Sequence, residues 1–440
     1  MNRTRVPDEV VAEAVEAGHE RTVGFLQDVI RCPSINPWFG EPDELSREGR
    51  VQDVFQARLE ALGAADLDRW EPDADALAHR ADGPGYYAGR DFTGRPNLVA
   101  RLKGTDPSAP TLLLLGHCDV VSPGAGWTTD PWAAERRDGR IYGRGAVDMK
   151  GGMAAAIGAL EALRDAGVAL RGDVLVASVV DEEAGGMGTL AFVDRGYTAD
   201  GAIIPEATAL NVAPLCRGIL WGEVELLGRN GHIELVQPDW REGGAVDAIA
   251  YGRELLNAVE ELNARWRELP EKNHPLLPLP CEVKIAQVQG GIFPTTYADS
   301  CRITFNAQYL PVEKDEHGLG SRVKAQLEEL FRGFKPGDGW LAANPPNVRW
   351  LVDADCGETP ADARIVQVTH AAARAAGAAS LLQGVTAHTD MGLVIDSGTP
   401  SINFGPGEMG VAHQPDEHVS EDELRCATLT MALAIREFCG

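Results

Sequence analysis

GRGAVDMKGG, residues 143–152, sets one carboxylate, Asp148, in a glycine-dense turn directly ahead of a helical pattern that begins near residue 151. An Asp beside a helix start reads first as an N-cap, because its oxygen satisfies orphan backbone N–H groups. The glycines around it (Gly143, Gly145, Gly151 and Gly152) imply more: backbone that turns sharply or lies close against another segment. Strand patterns stand on either side. Residues 97–102 read as a strand, and 111–115, 173–180 and 201–204 are short, largely apolar runs of the kind buried on both faces. Helical spacing at 151–166 and 186–196 separates them, which is the alternation of an α/β sheet, and 401–404 adds a further short strand. Ahead of these, 9–31 and 46–62 carry helical periodicity, while 66–96, rich in Asp, Gly and Pro, reads as an irregular surface insertion.

Between roughly 213 and 355 the rhythm changes. Strand patterns at 220–227, 282–288, 302–310 and 348–352 are interleaved with helical ones at 245–269 and 319–334. Strand–helix–strand–strand–helix–strand is a complete α+β layer in itself. The expected organisation is therefore a catalytic domain of residues 1–212 and 356–440, interrupted by an inserted domain of residues 213–355. A chain of 440 residues is long enough for two cores.

The formal net charge of −26 argues against nucleic acid or an anionic membrane as partner. Eight cysteines lie scattered with no C-x-x-C pair, as thiols of a reducing compartment do. No apolar h-region opens the chain and no long apolar run crosses a membrane, so the expected location is cytoplasmic.

Ligands of open α/β sheets bind outside the carboxyl ends of the strands. His117, Glu182, Glu183 and Glu206 each follow such an end, with Asp148 and His413 in adjoining loops. A charged residue at one strand end is an ordinary solvated loop charge. Histidines and carboxylates at several of them form the nitrogen and oxygen donor set suited to zinc or a similar divalent ion.

The order of motifs resembles one family. HCDVVSPG (117–124) with WTTDPW (127–132), then GRGAVDMKGG, DEEAGG (181–186), PEAT (205–208) and GPGEMGVAHQPDEHV (405–419) are similar to the successive signatures of the co-catalytic dinuclear metallopeptidases. That family contains acetylornithine deacetylase, succinyl-diaminopimelate desuccinylase, aminoacylase and carboxypeptidase G. The resemblance implies a zinc-exopeptidase-like catalytic domain, its sheet mostly parallel, with an inserted α+β lid and dimerisation domain. It implies two divalent metal ions per chain, zinc first with cobalt or manganese as alternatives. His117 and Glu206 hold one ion, Glu183 and His413 the other, and Asp148 bridges them. Asp119 orients the His117 ring, Glu182 is the general base, and a cis peptide follows Asp148.

In the inserted segment, GRNGHIELVQP (228–238) resembles the stretch carrying a histidine that stabilises the transition state, in dimeric members from the neighbouring subunit; here it is His232. Arg217, in CRG, resembles a substrate-contacting position. His388, in TAHTD, stands where relatives have glycine and is expected to shape the acyl pocket. One departure concerns substrate: where relatives carry Asp-x-Arg this chain reads Asn306-Ala307-Gln308, and Gln308 cannot make a charged bidentate pair with a carboxylate.

The chemistry implied is attack on an amide carbonyl by a metal-bridging hydroxide, with Glu182 moving the proton and His232 stabilising the oxyanion. The first functional reading is a hydrolase of small N-acyl amino acids or amines, acting as a homodimer. The second is a dipeptidase or carboxypeptidase using the same site. A silent binding protein on the same scaffold is the third, and it would be marked by loss of Glu182 or a ligand, all of which are present.

Overall fold

The computed structural model describes residues 6–335, 337 and 339–440. Two helices open it, α1 (Asp8–Ile30) and α2 (Glu48–Ala61), followed by strands β1 (Asp66–Trp70), β2 (Asn97–Leu102) and β3 (Leu112–His117). The short strands β4 (Glu135–Arg137) and β5 (Arg140–Tyr142) precede helix α3 (Lys150–Asp165). Next come β6 (Val174–Val179), helix α4 (Met187–Asp194), β7 (Gly201–Ile204) and β8 (Val212–Cys216). Strand β9 (Gly218–Leu227), helix α5 (Ala248–Trp266), β10 (Val283–Gly290), β11 (Ser300–Tyr309), helix α6 (Ser321–Gly333) and β12 (Asn347–Ala354) follow. The chain closes with β13 (Gly357–Glu358), β14 (Leu382–Val385), β15 (Ser401–Asn403), β16 (His418–Ser420) and a last helix, Glu421–Cys439.

The chain divides into two compact units. Of the described residues, the first takes those from 6 to 216, 357–385 and 389–440, and the second those between 217 and 356 together with 386–388. The crossings thus lie at 216/217 and 356/357, and not at the expected 212/213 and 355/356. The reason is β8, which the sequence reading missed: it pairs with β13, β14 and β15 in the larger sheet, so the chain leaves that sheet only after Cys216.

In the first unit a nine-stranded sheet runs β1-β2-β6-β3-β7-β15-β8-β13, with β14 against β8. Its centre is parallel, β3 lying between β6 and β7, and β15 beside β7. Antiparallel strands β1 and β2 flank it. Central strands are buried along their whole length because helices cover both faces, which is why LLLLGH and VLVASV show no alternation. Residues 66–96 depart from expectation: Asp66–Trp70 is an edge strand registered against Asn97–Arg101. Alternating charge (DLDRW) hid it, as suits a half-exposed edge.

The second unit is an antiparallel sheet in the order β10-β11-β9-β12. Strands β9 and β11 alternate buried and part-exposed positions, so one face is apolar. Leu220, Val224, Ile303 and Phe305 on that face form one core with Leu255, Val259, Leu327 and Phe331 of α5 and α6. Its edge strand β10 is interrupted by a register shift between Ile285 and Gln287.

Candidate metal centre

Every strand of the parallel core delivers a donor at its carboxyl end. β3 ends on His117, β6 leads into Asp181-Glu182-Glu183, β7 into Pro205-Glu206, and β15 into the loop that carries His413. Asp148 arrives from the glycine-rich turn before α3. It is not a helix cap: Met149 occupies the N-cap position and no side chain caps the helix. The peptide between Asp148 and Met149 is cis. A Cβ on Gly152 would stand 1.7 Å from the Pro205 carbonyl oxygen, so only glycine lets α3 start against the segment bearing Glu206.

The loops around Asp148 and His413 are tied to each other. β16 pairs with β5, and the buried Glu417 carboxylate accepts from the backbone N–H groups of Val147 and Asp148 while pairing with Arg144. Glu417 therefore fixes the turn that aims Asp148.

The two carboxylate oxygens of Asp148 face different histidines. Oδ1 lies 3.2 Å from His117 Nε2, and Oδ2 lies 3.2 Å from His413 Nε2. Glu206 Oε1 stands 3.6 Å from His117 Nε2, and Glu183 Oε2 stands 3.2 Å from His413 Nε2. Charge-assisted hydrogen bonds are shorter, about 2.7–2.9 Å. Two donors about 2.0–2.2 Å from one tetrahedral ion stand about 3.3–3.6 Å apart, close to the 3.2–3.6 Å seen here. Donor atoms of His117, Asp148 and Glu183 lie within 4.8 Å of one another.

Buried polar atoms complete the fit. His117 Nδ1 lies 2.9 Å from the Asp119 main-chain oxygen, which can only accept, so Nδ1 carries the proton and Nε2 turns a lone pair toward the carboxylates. Nε2 of His117, Oε1 of Glu183 and Oε2 of Glu206 are buried without a hydrogen-bond partner. Asp119, expected to orient the His117 ring, meets it through this main-chain oxygen, its carboxylate being 3.7 Å from Nδ1. That carboxylate is occupied instead in accepting from the backbone N–H groups of Glu182 and Glu183 and from Asn36.

Charge points the same way. Burial and the Asp148 charge push Glu206 up to about 7. Burial and, next among the raising causes, Asp390 and Glu206 hold Glu182 well above the usual carboxylate range. Burial pulls His117 down, yet the surrounding Glu182, Asp148 and Glu206 hold it well above its usual value. His413 is pushed up to about 11, chiefly by Glu183. Both imidazoles are thus drawn toward supplying positive charge among four carboxylates, Asp148, Glu182, Glu183 and Glu206. Two divalent cations match that charge and leave the imidazoles neutral as ligands.

The remaining expected residues lie in the second unit. His232 is exposed, on an isolated bridge to Thr296. Arg217 is buried and donates to Gln308 Oε1 at 2.9 Å and to the Leu279 carbonyl, two neutral acceptors. His388 is half-buried, its Nδ1 2.8 Å from the Asp355 carbonyl. The sequence reading did not single out Asp390. It is fully buried beside this centre, its carboxyl pushed up to about 7 by burial, with Glu206 and Asp119 adding to the rise. Its place after His388-Thr389 in a motif already quoted was the available signal.

Comparison with known proteins agrees with this geometry. Residues 113–437 match the family described as Peptidase family M20/M25/M40, well over half of the chain. The chain belongs to that family. Among curated M20 relatives, an acetylornithine deacetylase of Myxococcus xanthus is 31% identical over 88% of this chain and 98% of its own. An N-formyl-4-amino-5-aminomethyl-2-methylpyrimidine deformylase of Halalkalibacterium halodurans is 28% identical over 100% and 99%. The solved structure of the di-peptidase Dug1p from Saccharomyces cerevisiae superposes with a TM-score of 0.74 at 14% identity, covering 99% of each chain, which speaks for the fold alone. As an M20 protein the chain is a metal-dependent amidohydrolase of α/β fold. No helix among the described residues is long and apolar enough to cross a membrane, and all eight cysteines are free thiols.

Proposed function

We propose that this M20 enzyme hydrolyses the amide bond of a small N-acyl amine or N-acyl amino acid. The observation that carries the reading is Asp148, whose two oxygens each face a separate histidine–glutamate pair. His117, Asp148 and Glu206 hold one divalent ion, and Asp148, Glu183 and His413 the other, with zinc the first expectation from the donor set. When bound, such a pair polarises the scissile carbonyl and acidifies the attacking water.

Glu182 takes a proton from the attacking water and returns it to the departing nitrogen, so a carboxylic acid and an amine leave. Arg217 and His388 are assigned to substrate recognition. Gln308 in place of an arginine favours substrates held by hydrogen bonds over those gripped at a carboxylate. Relatives covering nearly the full chain are named for removing formyl and acetyl groups from amines, which favours deacylation over peptide cleavage. Free thiols fit a reducing, cytoplasmic setting.

The test is a hydrolysis screen of N-formyl, N-acetyl and N-succinyl amines beside dipeptides, run with elemental analysis. N-acyl amines should be the better substrates, on protein holding close to two divalent ions per chain. Faster cleavage of dipeptides would replace this reading with the peptidase one, and activity surviving full metal removal would end both.

We further propose a homodimer built on the second unit. His232 sits among exposed apolar residues. Residues 231–233 bond to 295–297, and this places Val236 (99% exposed) in the same loop region as Ile292 (82%) and Phe293 (63%). Large apolar side chains exposed together in one loop region support an interaction site there. In the dimer His232 serves the partner's site as an oxyanion donor. Ile292→Glu with Phe293→Glu should sediment as a monomer and lose about 10²–10³ in kcat, the effect of removing one such donor. A monomer of full activity would overturn the role given to His232.

A further inference from the structure

The segment between β1 and β2 reads by composition as surface, yet its later part, GYYAGRDFTGRP (85–96), turns three long side chains inward. Arg90 is only 9% exposed. Its Nη1 donates to both oxygens of Asp181, at 2.8 and 2.9 Å, and its Nη2 donates to the Ala184 carbonyl at 2.6 Å. Asp181 and Ala184 are the residues that bracket Glu182-Glu183, so one rigid guanidinium spans both ends of that turn. Arg95 adds a bond to Asp181 at 3.0 Å and pairs with the buried Glu48. The Tyr87 hydroxyl donates to the Gly185 carbonyl at 3.3 Å, and a Cβ on Gly185 would stand 2.3 Å from it.

The turn is held from its other side as well. The Asp119 carboxylate accepts from the N–H groups of Glu182 and Glu183, and Asn36 donates to both Asp119 and Asp181. A strand or long helix carries its own ladder of backbone bonds. Glu182–Ala184 is a single 3-10 turn flanked by Asp181 (φ +70°) and Gly185 (φ +114°), in the left-handed region, and has little ladder of its own. Side chains from distant stretches supply what its backbone cannot.

We propose that Arg90 is a positioning residue for the reaction: by clamping Asp181 and Ala184 it sets the turn so that Glu183 reaches the position shared with Asp148 and His413 while Glu182 faces His117. The inference rests on the roles given above to Glu182 and Glu183. Arg90 touches neither carboxylate's assigned partners, so it acts through the turn alone.

The experiment is Co²⁺ titration of metal-free Arg90→Met, Arg90→Lys and Glu182→Gln, followed by visible absorption, with kcat, KM and Tm measured on the best N-acyl substrate of the screen. Arg90→Met should weaken one of two Co²⁺ positions about 10–100-fold, leave the other unchanged and lower kcat by a similar factor, as loss of a group behind a ligand does. KM should stay near its original value. Arg90→Lys keeps the charge but reaches one acceptor at a time, so it should fall between. If Arg90→Met does not fold, the lysine variant decides by the same asymmetry. Both Co²⁺ positions intact with kcat within about twofold would overturn the inference. So would a lowered Tm with both positions weakened alike and no recovery in the lysine variant. A Glu182→Gln enzyme that keeps its activity would instead remove the reading on which the inference stands.

Discussion

Glu182→Gln is expected to bind both metal ions normally and to lose about 10²–10⁴ in kcat, the usual contribution of a positioned general base. The glutamine keeps the volume of the side chain but cannot accept and return a proton. Geometry separates Glu182 from its neighbour. Its carboxylate stands 3.7 Å from His117 Nε2, whereas Glu183 stands 3.2 Å from His413 Nε2 and shares the donor cluster of His117 and Asp148. Glu183→Gln should show the converse, a weakened position beside His413. Steady-state kinetics with metal analysis on both variants separates the roles. If Glu182→Gln kept kcat within about tenfold, the proton would have to travel through another group.

Asp148→Asn is expected to cost more. The substitution preserves shape and leaves one oxygen, so at most one of the two ions keeps its bridging donor. Removing the charge also leaves His117 and His413 without their common carboxylate, which the two neighbouring imidazoles hold well below the usual range against the effect of its burial. The variant should hold no more than one ion per chain. Its activity should fall further than the ~10²-fold lost when a group merely supporting a ligand is changed. Two ions retained at normal affinity would show that Asp148 is not the shared donor.

Much of this was legible because the relevant signals are local. Runs such as LLLLGH and VLVASV announce strands buried on both faces, and a His or Glu placed directly after them is carried to one edge of the sheet by topology alone. Asp148 was findable from its glycines, whose reason is close backbone approach at Pro205. What escaped was long-range. Nothing local in GYYAGRDFTGRP shows that Arg90 folds back on Asp181, 91 residues away. β1 was hidden by a charged, edge-strand sequence, and β8 by lying next to the second unit's first strand. At Asp119 the residue was visible but not the atom: a main-chain carbonyl meets the ring, and the carboxylate serves the next turn.

The outer strand of the second unit, β10, has a practical consequence for handling the protein. Among the described residues its ladder is used only on the β11 side, and Val288, half exposed on it, stands near the apolar loop that carries Ile292 and Phe293. Unpaired strand edges of this kind recruit other strands without regard to partner and so seed aggregation. The irregularity at Ile285–Gln287 blunts part of that edge, and a net charge of −26 keeps copies apart by repulsion that added salt screens. Chains kept single by substitution at the interface should therefore lose colloidal stability first in concentrated, high-salt buffers. Lysine at Val288 is the remedy the edge itself indicates.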